Sequence, residues 1–437
     1  MSKAIIAGVG AAVVAGGAYV GAVAYSGKQA EAAMSQSVEN LKTVYQGMAV
    51  IEYNPVASSM FESKHQLKVM INDLPPELEE YMADGVPFDV VIKNGFLAAN
   101  TTTTLAQGPL LELLKEHQNN GGTPPLQVSM NSTFSVGEQA VNNDGTLTTD
   151  SFTIKAPEGE QGQVEIGGLS MQFDVAGKAI EMSGTMAPLK LDADGNKGEL
   201  SGISFYQKGV MDDLYWKATM YEQLEGNMKV ANMSFNGDVK AELSGMKVDF
   251  SQQLQQDRTL INVAYGFDKA DLPDPMGGNQ QYQDAELALQ FDLAYEALRE
   301  FAIKVRDIQQ NRPEELENPE AMIALFDKVT EQGIGVDITN LQISRAGGSI
   351  KGKAEADIAA FKIEEAMFDP NQFRQKVQLN GNLSMSESLL QEIPAMPPQQ
   401  VEMMVAQGFV VKENGELKVN FEVKDGQLSV NGIPLPF

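Results

Sequence analysis

The sequence contains no cysteine. Disulfides, thiolate nucleophiles and cysteine-based metal sites are therefore excluded. Histidine is almost as scarce, since His65 and His117 are the only two in the chain. Neither stands in a metal-binding spacing such as HExxH, and the chain has no GxSxG elbow, no phosphate loop and no Rossmann fingerprint. We therefore expect no metal ion, no cofactor and no histidine-dependent catalysis, and we predict that the protein is not an enzyme.

Basic residues are also few, because 32 Lys and Arg stand against 59 Asp and Glu, for a net charge of -27. The acidic excess is spread along the chain and is not concentrated in one block. Phosphate backbones repel such a surface, so nucleic acid is not an expected partner. Acidic lipid headgroups repel it as well, so any contact with a membrane has to come from apolar segments.

Adjacent carboxylates are the remaining candidates for acid–base chemistry. Neighbouring residues on a strand point to opposite faces, and neighbouring residues on a helix diverge as well. A single pair therefore cannot direct both carboxylates at one substrate, and solvated surface is the better interpretation. The pairs concerned are Glu79–Glu80, Asp212–Asp213 and Glu364–Glu365.

The run from Ala4 to Tyr25 carries no charged residue. At about 1.5 Å per residue it forms a helix of roughly 33 Å, which is enough to cross a bilayer core of about 30 Å. A cleavable signal peptide is the alternative, since Ala22-Val23-Ala24 has the small–x–small form of a cleavage site. Signal peptides have shorter apolar regions, of about 7 to 15 residues. We therefore predict that residues 1–28 are an uncleaved anchor and that the rest of the chain lies on the far side of the membrane.

Small residues recur along this predicted anchor at the spacing that lets helices approach closely in lipid. The same pattern also occurs in anchors that are simply rich in glycine and alanine. A homodimer formed through this face is one interpretation. The residues of the candidate dimer face are Gly8, Ala12, Gly16, Gly17 and Gly21.

Beyond the anchor, residues 29–48 read as a juxtamembrane helix, and from residue 49 apolar and polar residues alternate with the period of β-strands. Many such strands in succession imply a large antiparallel sheet with one apolar face. The predicted fold is therefore mainly β with helices (α+β), in which one transmembrane helix precedes a β-sheet ectodomain. The Pro- and Gly-rich stretch Pro273 to Gly278 suggests a division into residues 49–272 and 273–437.

The clearest strand pair lies near the C-terminus. Asp425-Gly426 is a two-residue turn signal between two alternating segments. A two-residue hairpin pairs Val423 with Leu428 and Phe421 with Val430, so that both strands present apolar side chains on the same side.

Two further segments alternate around a central Asn-Gly. A two-residue hairpin at Asn236-Gly237 would place Phe235 opposite Asp238, whereas a continuous strand keeps all apolar residues on one face. We therefore predict that Gly237 and Gly381 lie inside strands, where a missing side chain leaves room for a hydrophobic ligand or a covering helix. The candidate groove residues are Met233, Phe235, Gly237, Val239, Val377, Leu379, Gly381 and Leu383.

An apolar sheet face needs a cover. In the longest candidate helix, residues such as Leu287, Phe291 and Tyr295 follow the spacing of a helical stripe, whose ordinary meaning is core packing. The predicted covering helices are Pro109 to His117, Ala285 to Gln309, Pro313 to Gln332 and Pro398 to Gln407.

Both ends of the chain resemble one family. The segment from Tyr25 to Glu31 (YSGKQAE) is similar to the tyrosine–x–glycine–x–x–x–glutamate segment of the YdgA-like proteins, and the ending from Lys424 to Pro436 (KDGQLSVNGIPLP) resembles their C-terminal hairpin. This resemblance implies a single-pass protein of the bacterial inner membrane with most of the chain in the periplasm. It carries over no catalytic residues. A looser similarity, at the level of fold, is to AsmA-like envelope proteins linked to phospholipid transport.

Three functions are compatible with these features. The first is a non-enzymatic, membrane-anchored protein whose apolar sheet face binds lipid or another hydrophobic component of the envelope. The second is a scaffold that self-associates or holds a partner through its sheet edges and anchor. The third is a hydrolase of cell-wall glycans, which needs two carboxyl groups about 5 to 9.5 Å apart in a cleft.

Overall fold

The computed structural model describes residues 38, 39, 42, 45, 48–59, 62–72, 74, 76–95, 98–119, 124–134, 141–155, 162–193, 195–214, 218–237, 239–273, 279–312, 315, 318–390 and 397–435. The predicted anchor, its candidate dimer face and most of the predicted juxtamembrane helix lie outside these residues. Within them, every helix is too short or too polar to span a bilayer.

The protein is mainly β, and all strand pairings among the described residues are antiparallel. The strands are β1 Ala49–Ser58, β2 Glu62–Ile71, β3 Val86–Gly95, β4 Ala98–Leu105, β5 Leu126–Phe134, β6 Val141–Thr149, β7 Phe152–Lys155, β8 Gly162–Ile166, β9 Leu169–Ala176, β10 Ala179–Met186, β11 Leu189–Ala193, β12 Asn196–Met211, β13 Tyr221–Asn236, β14 Lys240–Gln255, β15 Arg258–Pro273, β16 Asn279–Ala294, β17 Ile334–Arg345, β18 Gly348–Ile358, β19 Val377–Ser386, β20 Val411–Glu413, β21 Glu416–Lys424, β22 Gln427–Val430 and β23 Ile433–Leu435. The helices are α1 Pro76–Met82, α2 Pro109–His117, α3 Tyr295–Asn311, α4 Pro319–Thr330, α5 Ile363–Phe368, α6 Pro370–Gln375, α7 Glu387–Leu390 and α8 Pro398–Ala406.

The contacts divide the chain into two compact units. Unit 1 comprises the described residues of Met1–Tyr221 and Arg306–Pro313, and unit 2 those of Glu222–Val305 and Glu314–Phe437. This grouping differs from the predicted division at residue 273. Pro273 and Asn279 are instead partners in the pairing of β15 with β16, and both strands belong to unit 2.

In unit 1 the strand order runs β1–β2–β3–β4–β5–β6–β9–β10–β12, and β11, β8 and β7 continue from β12. Directly paired residues lie on the same face of a sheet, so the register aligns apolar side chains across strands. Leu67 pairs with Phe88, and Phe88 pairs with Leu105. All three are buried, in a cluster that also contains Met82 of α1 and Leu111 of α2. Unit 1 therefore has a closed hydrophobic core.

In unit 2 the order is β13–β14–β15–β16–β17–β18–β19–β21–β22–β23, and β20 also pairs with β21. Strands β13 to β16 have 16 residues each. The register aligns one row of apolar residues and glycine from β13 to β21, and we call the surface that contains it the apolar face of unit 2. This row consists of Met228, Val248, Tyr265, Leu287, Leu341, Gly352, Leu383 and Val419.

The neighbouring row of unit 2 points to the opposite face, because side chains alternate along a strand. It contains only polar residues and glycine. Its members are Lys229, Lys247, Gly266, Glu286, Gln342, Lys351, Ser384 and Lys418. The predicted antiparallel sheet with one apolar face is therefore present.

The bounds of the four predicted helices agree with the structure to different degrees. Helix α2 has the predicted bounds, and α8 ends one residue early. Helix α4 begins at Pro319 and not at Pro313. The long helix was wrongly predicted to begin at Ala285, because residues 285–294 belong to strand β16. Leu287, Leu289, Phe291 and Leu293 also alternate with period two, and pairing with both β15 and β17 favours the strand over the helix.

The C-terminal hairpin is confirmed in its register, since Val423 pairs with Leu428 and Phe421 with Val430. Asp425 and Gly426 both have positive φ, of 50° and 75°. Two successive positive φ angles define the type I′ turn, whose twist matches that of the two strands it connects. The local turn signal was therefore sufficient to predict this element.

The prediction for Gly237 is wrong, whereas Gly381 lies inside β19 as predicted. Strand β13 ends at Asn236 and β14 begins at Lys240, so that Gly237 lies in a hairpin connection of three residues. Phe235 consequently pairs with Ala241, not with Asp238. Because the turn has three residues and not two, apolar residues of β13 lie opposite apolar residues of β14, whereas a two-residue turn would have placed Phe235 opposite a charged residue.

Candidate functional site

A kink crosses the strands of unit 2. Regular pairing of β14 with β15 stops at Ser244–Lys269 and resumes at Lys247–Gly266. At this level Gly245 has a φ of +67°. A side chain at Gly245 would collide with Asp268, since its Cβ would lie 2.1 Å from the Asp268 carboxylate oxygen. The close approach and the left-handed backbone therefore both require glycine here.

The kink continues into β16, where Asp284 has a φ of 50°. In β16 one extra residue is inserted opposite β17, whereas β14 keeps the same register with β13 and β15 on both sides of the kink. In β14 the left-handed Gly245 therefore has to redirect the side chains that follow. Leu243 and Met246 are three residues apart and would normally face opposite sides, yet both line the same pocket. The kink thus keeps both halves of the long hairpin apolar on one side.

This apolar pocket has a volume of about 430 Å³. The two charged residues in its lining belong to the polar row, whose side chains point to the opposite face, and they neutralise each other there, since the Lys247 ammonium lies 3.2 Å from a Glu286 carboxylate oxygen. The side-chain amide of Asn340 donates to Glu286 at 2.8 Å, and this bond, together with Lys247, lowers the pKa of Glu286. The remaining lining is almost wholly apolar. It includes Met228, Val230, Leu243, Met246, Val248, Tyr265, Phe267, Leu287, Leu341 and Ile343.

The apolar face of unit 2 is incompletely covered. Met228 and Tyr265 each retain 50% of their surface exposure, although both belong to the central apolar row. Helix α8 covers the face near one end, where Val401 and Met404 pack against Leu417 and Val419. Soluble proteins seldom leave large contiguous apolar surfaces in water unless those surfaces bind something.

The first set of predicted groove residues borders this pocket. Met233 pairs with Leu243, which is part of the lining, and Phe235 pairs with Ala241 one step further out. Val239 lies in the hairpin turn and is also exposed. Gly237 is in the same turn and provides no gap in the sheet face.

The second set lies on β19, with β14–β18 between it and β13, so the two sets share a face but do not line one narrow groove. Val377 and Leu379 are half-buried there, and Leu383 is exposed. The predicted gap at Gly381 is filled, because a Cβ on Gly381 would lie 2.1 Å from the ring of Phe421 on β21. The neighbouring strand fills this space, and the helix predicted over residues 285–309 does not.

A polar groove of about 590 Å³ lies across β17, β18, β19, β21 and β22. Asp337 and Glu355 are direct cross-strand partners within it. Burial raises the pKa of Asp337, and the charges of Asp357 and Asp292 raise it further. A carboxyl group with a raised pKa beside a carboxylate is what acid–base chemistry on a glycan requires. Among the residues that the structure describes, no cluster of histidine and carboxylate side chains could hold a metal ion.

His65 forms a buried polar cluster in unit 1 that the sequence reasoning missed. Its Nδ1 lies 2.5 Å from the Tyr53 hydroxyl and its Nε2 lies 2.9 Å from Ser63 Oγ. Ser63 and His65 each retain only 2% exposure, so this serine–histidine pair is closed to a substrate. The alternation of Ser63, His65 and Leu67 with exposed Lys64 and Gln66 was the available signal.

The comparisons with known proteins concern the whole chain. The family model described as "Bacterial protein of unknown function (DUF945)" matches residues 1–437. The chain belongs to this bacterial family. No curated protein and no solved structure matches it.

Membership in this family agrees with the expectation of a bacterial protein. The resemblances to YdgA-like and AsmA-like proteins remain predictions, as do the anchor and the location in the envelope. Because the family supplies no functional residues, the candidate sites depend on the geometry of the described residues alone.

Proposed function

We propose that this protein is a non-enzymatic lipid-binding protein that holds acyl chains against the apolar face of unit 2. One observation carries the proposal: the register places apolar residues in line from β13 to β21, yet Met228 and Tyr265 in this line remain half exposed. A face of this kind offers a long hydrophobic surface that the described part of the chain does not fill.

The apolar pocket at the kink is the centre of the proposed site. Its volume of about 430 Å³ falls within the range of small-molecule sites, about 300 to 1,000 Å³. An acyl chain gains roughly 0.8 kcal/mol for each methylene group that it buries. Binding through methylene groups needs no cationic side chain, which suits a protein with a net charge of -27.

The proposal also includes a location. The uncharged run from Ala4 to Tyr25 supports an anchor in the bacterial inner membrane, with the bulk of the chain in the periplasm. Anchoring would keep the apolar face close to a source of lipid. The anchor and the bilayer are then the first partners of the protein, and bound lipid is the second.

Self-association is the competing function, since a second copy could cover the same apolar face. Native mass spectrometry of the full-length protein, extracted from membranes in mild detergent, separates the two. Lipid binding predicts a mass increase equal to that of phospholipid on the monomer. A lipid-free dimer would support the scaffold instead.

A matched pair of substitutions on β15 tests the site itself. Tyr265 lies on the apolar face and is exposed, whereas Asn262, also exposed, lies on the opposite face. We expect Tyr265→Asp to weaken binding of a monomeric short-chain phosphatidylcholine by about tenfold or more, since about 1.4 kcal/mol corresponds to a factor of ten. Asn262→Asp adds the same charge and should leave the affinity unchanged. Equal affinities in the two variants would overturn the proposal.

A further inference from the structure

The hairpin that joins β13 to β14 exposes apolar residues at the outer border of the proposed lipid site. Met233 is 44% exposed, Phe235 37% and Val239 46%. We call these three residues the tip patch. Isolated exposed apolar residues are ordinary, whereas these three lie close together in the chain at the end of one hairpin.

The tip patch is continuous with the apolar pocket. Met233 pairs with Leu243, and Leu243 lines the pocket together with Val230 and Met246. Apolar side chains therefore run without interruption from the hairpin turn to the pocket. An acyl chain that followed this path would stay in contact with apolar atoms throughout.

On the described strands, the carboxylates next to Leu243 point the other way. Glu242 pairs with Asp271 on the face opposite Leu243, and the side chains of Asn279 and Gln281 donate hydrogen bonds to Asp271. The side of the hairpin that bears Met233 and Phe235 thus presents no carboxylate from these strands. Insertion of Met233 and Phe235 into lipid would therefore not require the burial of the Glu242 or Asp271 carboxylate, which would be costly in hydrocarbon.

We infer that the tip patch docks on the surface of a zwitterionic phospholipid bilayer, where it opens the path from the membrane to the apolar pocket. This inference rests on the proposed lipid-binding function. A bilayer is the occupant that the observations favour, because the tip patch continues into a site proposed for acyl chains and because residues 4–25 predict a membrane anchor. A protein partner would need no connection to that site.

The absence of cysteine makes a direct test simple, since any introduced cysteine is a unique labelling site. Full-length protein is reconstituted into phosphatidylcholine vesicles with an environment-sensitive fluorophore at Val239→Cys. The matched control carries the label at Asp257→Cys, an exposed turn residue at the other end of β14. The two turns are separated by roughly 50 Å, from about 3.4 Å per residue over the strand.

We expect brominated phosphatidylcholine to quench the Val239→Cys label severalfold more strongly than the Asp257→Cys label. Equal quenching at the two positions would overturn the inference. A blue shift at Val239→Cys without bromine quenching would also overturn it, because a protein surface or a second copy would then cover the patch.

The variant Phe235→Asp separates this inference from the proposed function. Docking predicts that quenching of the Val239→Cys label falls severalfold in this variant and is retained in Tyr265→Asp, the variant that weakens binding of monomeric short-chain phosphatidylcholine. Unchanged quenching would refute docking and leave the lipid site standing. If the unsubstituted protein binds no monomeric lipid but its tip is still quenched, the proposed function and the path to the pocket are both refuted, and only the contact of the tip patch with the bilayer is supported.

Discussion

Units 1 and 2 share the same alternation of apolar and polar residues along their strands, but their apolar faces are buried to different extents. In both, antiparallel strands alternate apolar with polar residues, and the register aligns the apolar ones across neighbouring strands. Met130 in unit 1 is nevertheless 1% exposed, whereas Met228 in unit 2 is 50% exposed. Alternation therefore determines which face is apolar, and it does not determine whether anything covers that face.

The difference has a physical origin in what lies over each apolar face. In unit 1, the cluster around Phe88 includes residues from α1 and α2 as well as from many strands. In unit 2, α8 covers the part of the face near Leu417, and the centre around Tyr265 stays accessible. A face that is left accessible contributes less to stability and remains available for a ligand.

The largest expected effect comes from the same truncation in each unit. Met130→Ala should lower the free energy of unfolding by about 2 to 5 kcal/mol, because it opens a cavity in a closed core. Met228→Ala should cost less than about 1 kcal/mol, as most surface changes do. Urea denaturation followed by circular dichroism measures both. Similar losses in the two variants would show that the apolar face of unit 2 is covered after all.

A second pair tests how tightly aromatic rings fill the space over glycine. Gly145 faces the Phe173 ring in unit 1 and Gly381 faces the Phe421 ring in unit 2. We expect Gly145→Ala to cost about 1 to 3 kcal/mol through overpacking. Its new Cβ would also lie 2.6 Å from the backbone oxygen of Ser129, which cannot move aside. Gly381→Ala should cost less, because Phe421 is only half-buried.

The control for this pair is a double variant. Phe421→Leu shortens the side chain over Gly381 and should relieve much of the cost of Gly381→Ala, with a coupling of about 0.5 kcal/mol or more in a double-mutant cycle. Strictly additive losses would mean that the ring does not occupy the position over the glycine.

The third prediction concerns one turn glycine in each unit, where replacement by alanine should destabilise both units equally. Gly177 in the β9–β10 turn has a φ of +60°, and Gly426 in the β21–β22 turn has a φ of +75°. The left-handed backbone alone penalises a Cβ by about 1 to 2 kcal/mol. Gly177→Ala and Gly426→Ala should therefore lower the free energy of unfolding equally, and asparagine at either position should cost less. A clear difference between the two alanine variants would indicate that burial contributes to these turns.

The smallest effect concerns two carboxyl groups of unit 2 with opposite pKa shifts. Burial raises the pKa of Asp337, so its contribution to stability is present below the ordinary value of about 3.9 and is lost as the pH rises through the raised value. Asp337→Asn should thus stabilise the protein at neutral pH, by less than about 1 kcal/mol because solvent screens the group. The gain should disappear at acidic pH.

Glu286 is the matched control, because hydrogen bonds from Asn340 and Lys247 lower its pKa. Its contribution is present above the ordinary glutamate value of about 4.3 and is lost as the pH falls through the lowered value. Glu286→Gln should therefore destabilise the protein at neutral pH and have no effect in acid. Melting temperatures measured across pH test both variants, and shifts of the same sign would contradict the assignment.

Local patterns predicted the elements that depend on neighbouring residues. The Asp425-Gly426 turn and helix α2 were predictable because a few adjacent residues specify them. Residues 285–294 were assigned to a helix because Leu287 and Phe291 satisfy the period of a helix as well as that of a strand. Hydrogen bonds to β15 and β17, which are distant in sequence, decided between the two. The prediction that Gly237 lies inside a strand was wrong for a related reason, because the length of a turn depends on how the two strands beside it pair.

The candidate site shows the same limit. Met233, Phe235 and Val239 could be selected from alternation, and they border the apolar pocket. The pocket itself depends on the kink at Gly245 and Asp284, two residues on different strands that meet only through the register of the sheet. The position of the Phe421 ring over Gly381 likewise depends on which strand lies beside β19.

The amino-acid sequence by itself determined the absence of cysteine chemistry, the anionic surface and the apolar side of each strand, because these follow from composition and from the two-residue repeat of a β-strand. Only the tertiary structure decided that the apolar cluster around Phe88 in unit 1 is enclosed while the apolar face of unit 2 stays accessible around Tyr265. Covering a face requires contacts between residues far apart in the chain, and no local pattern specifies them.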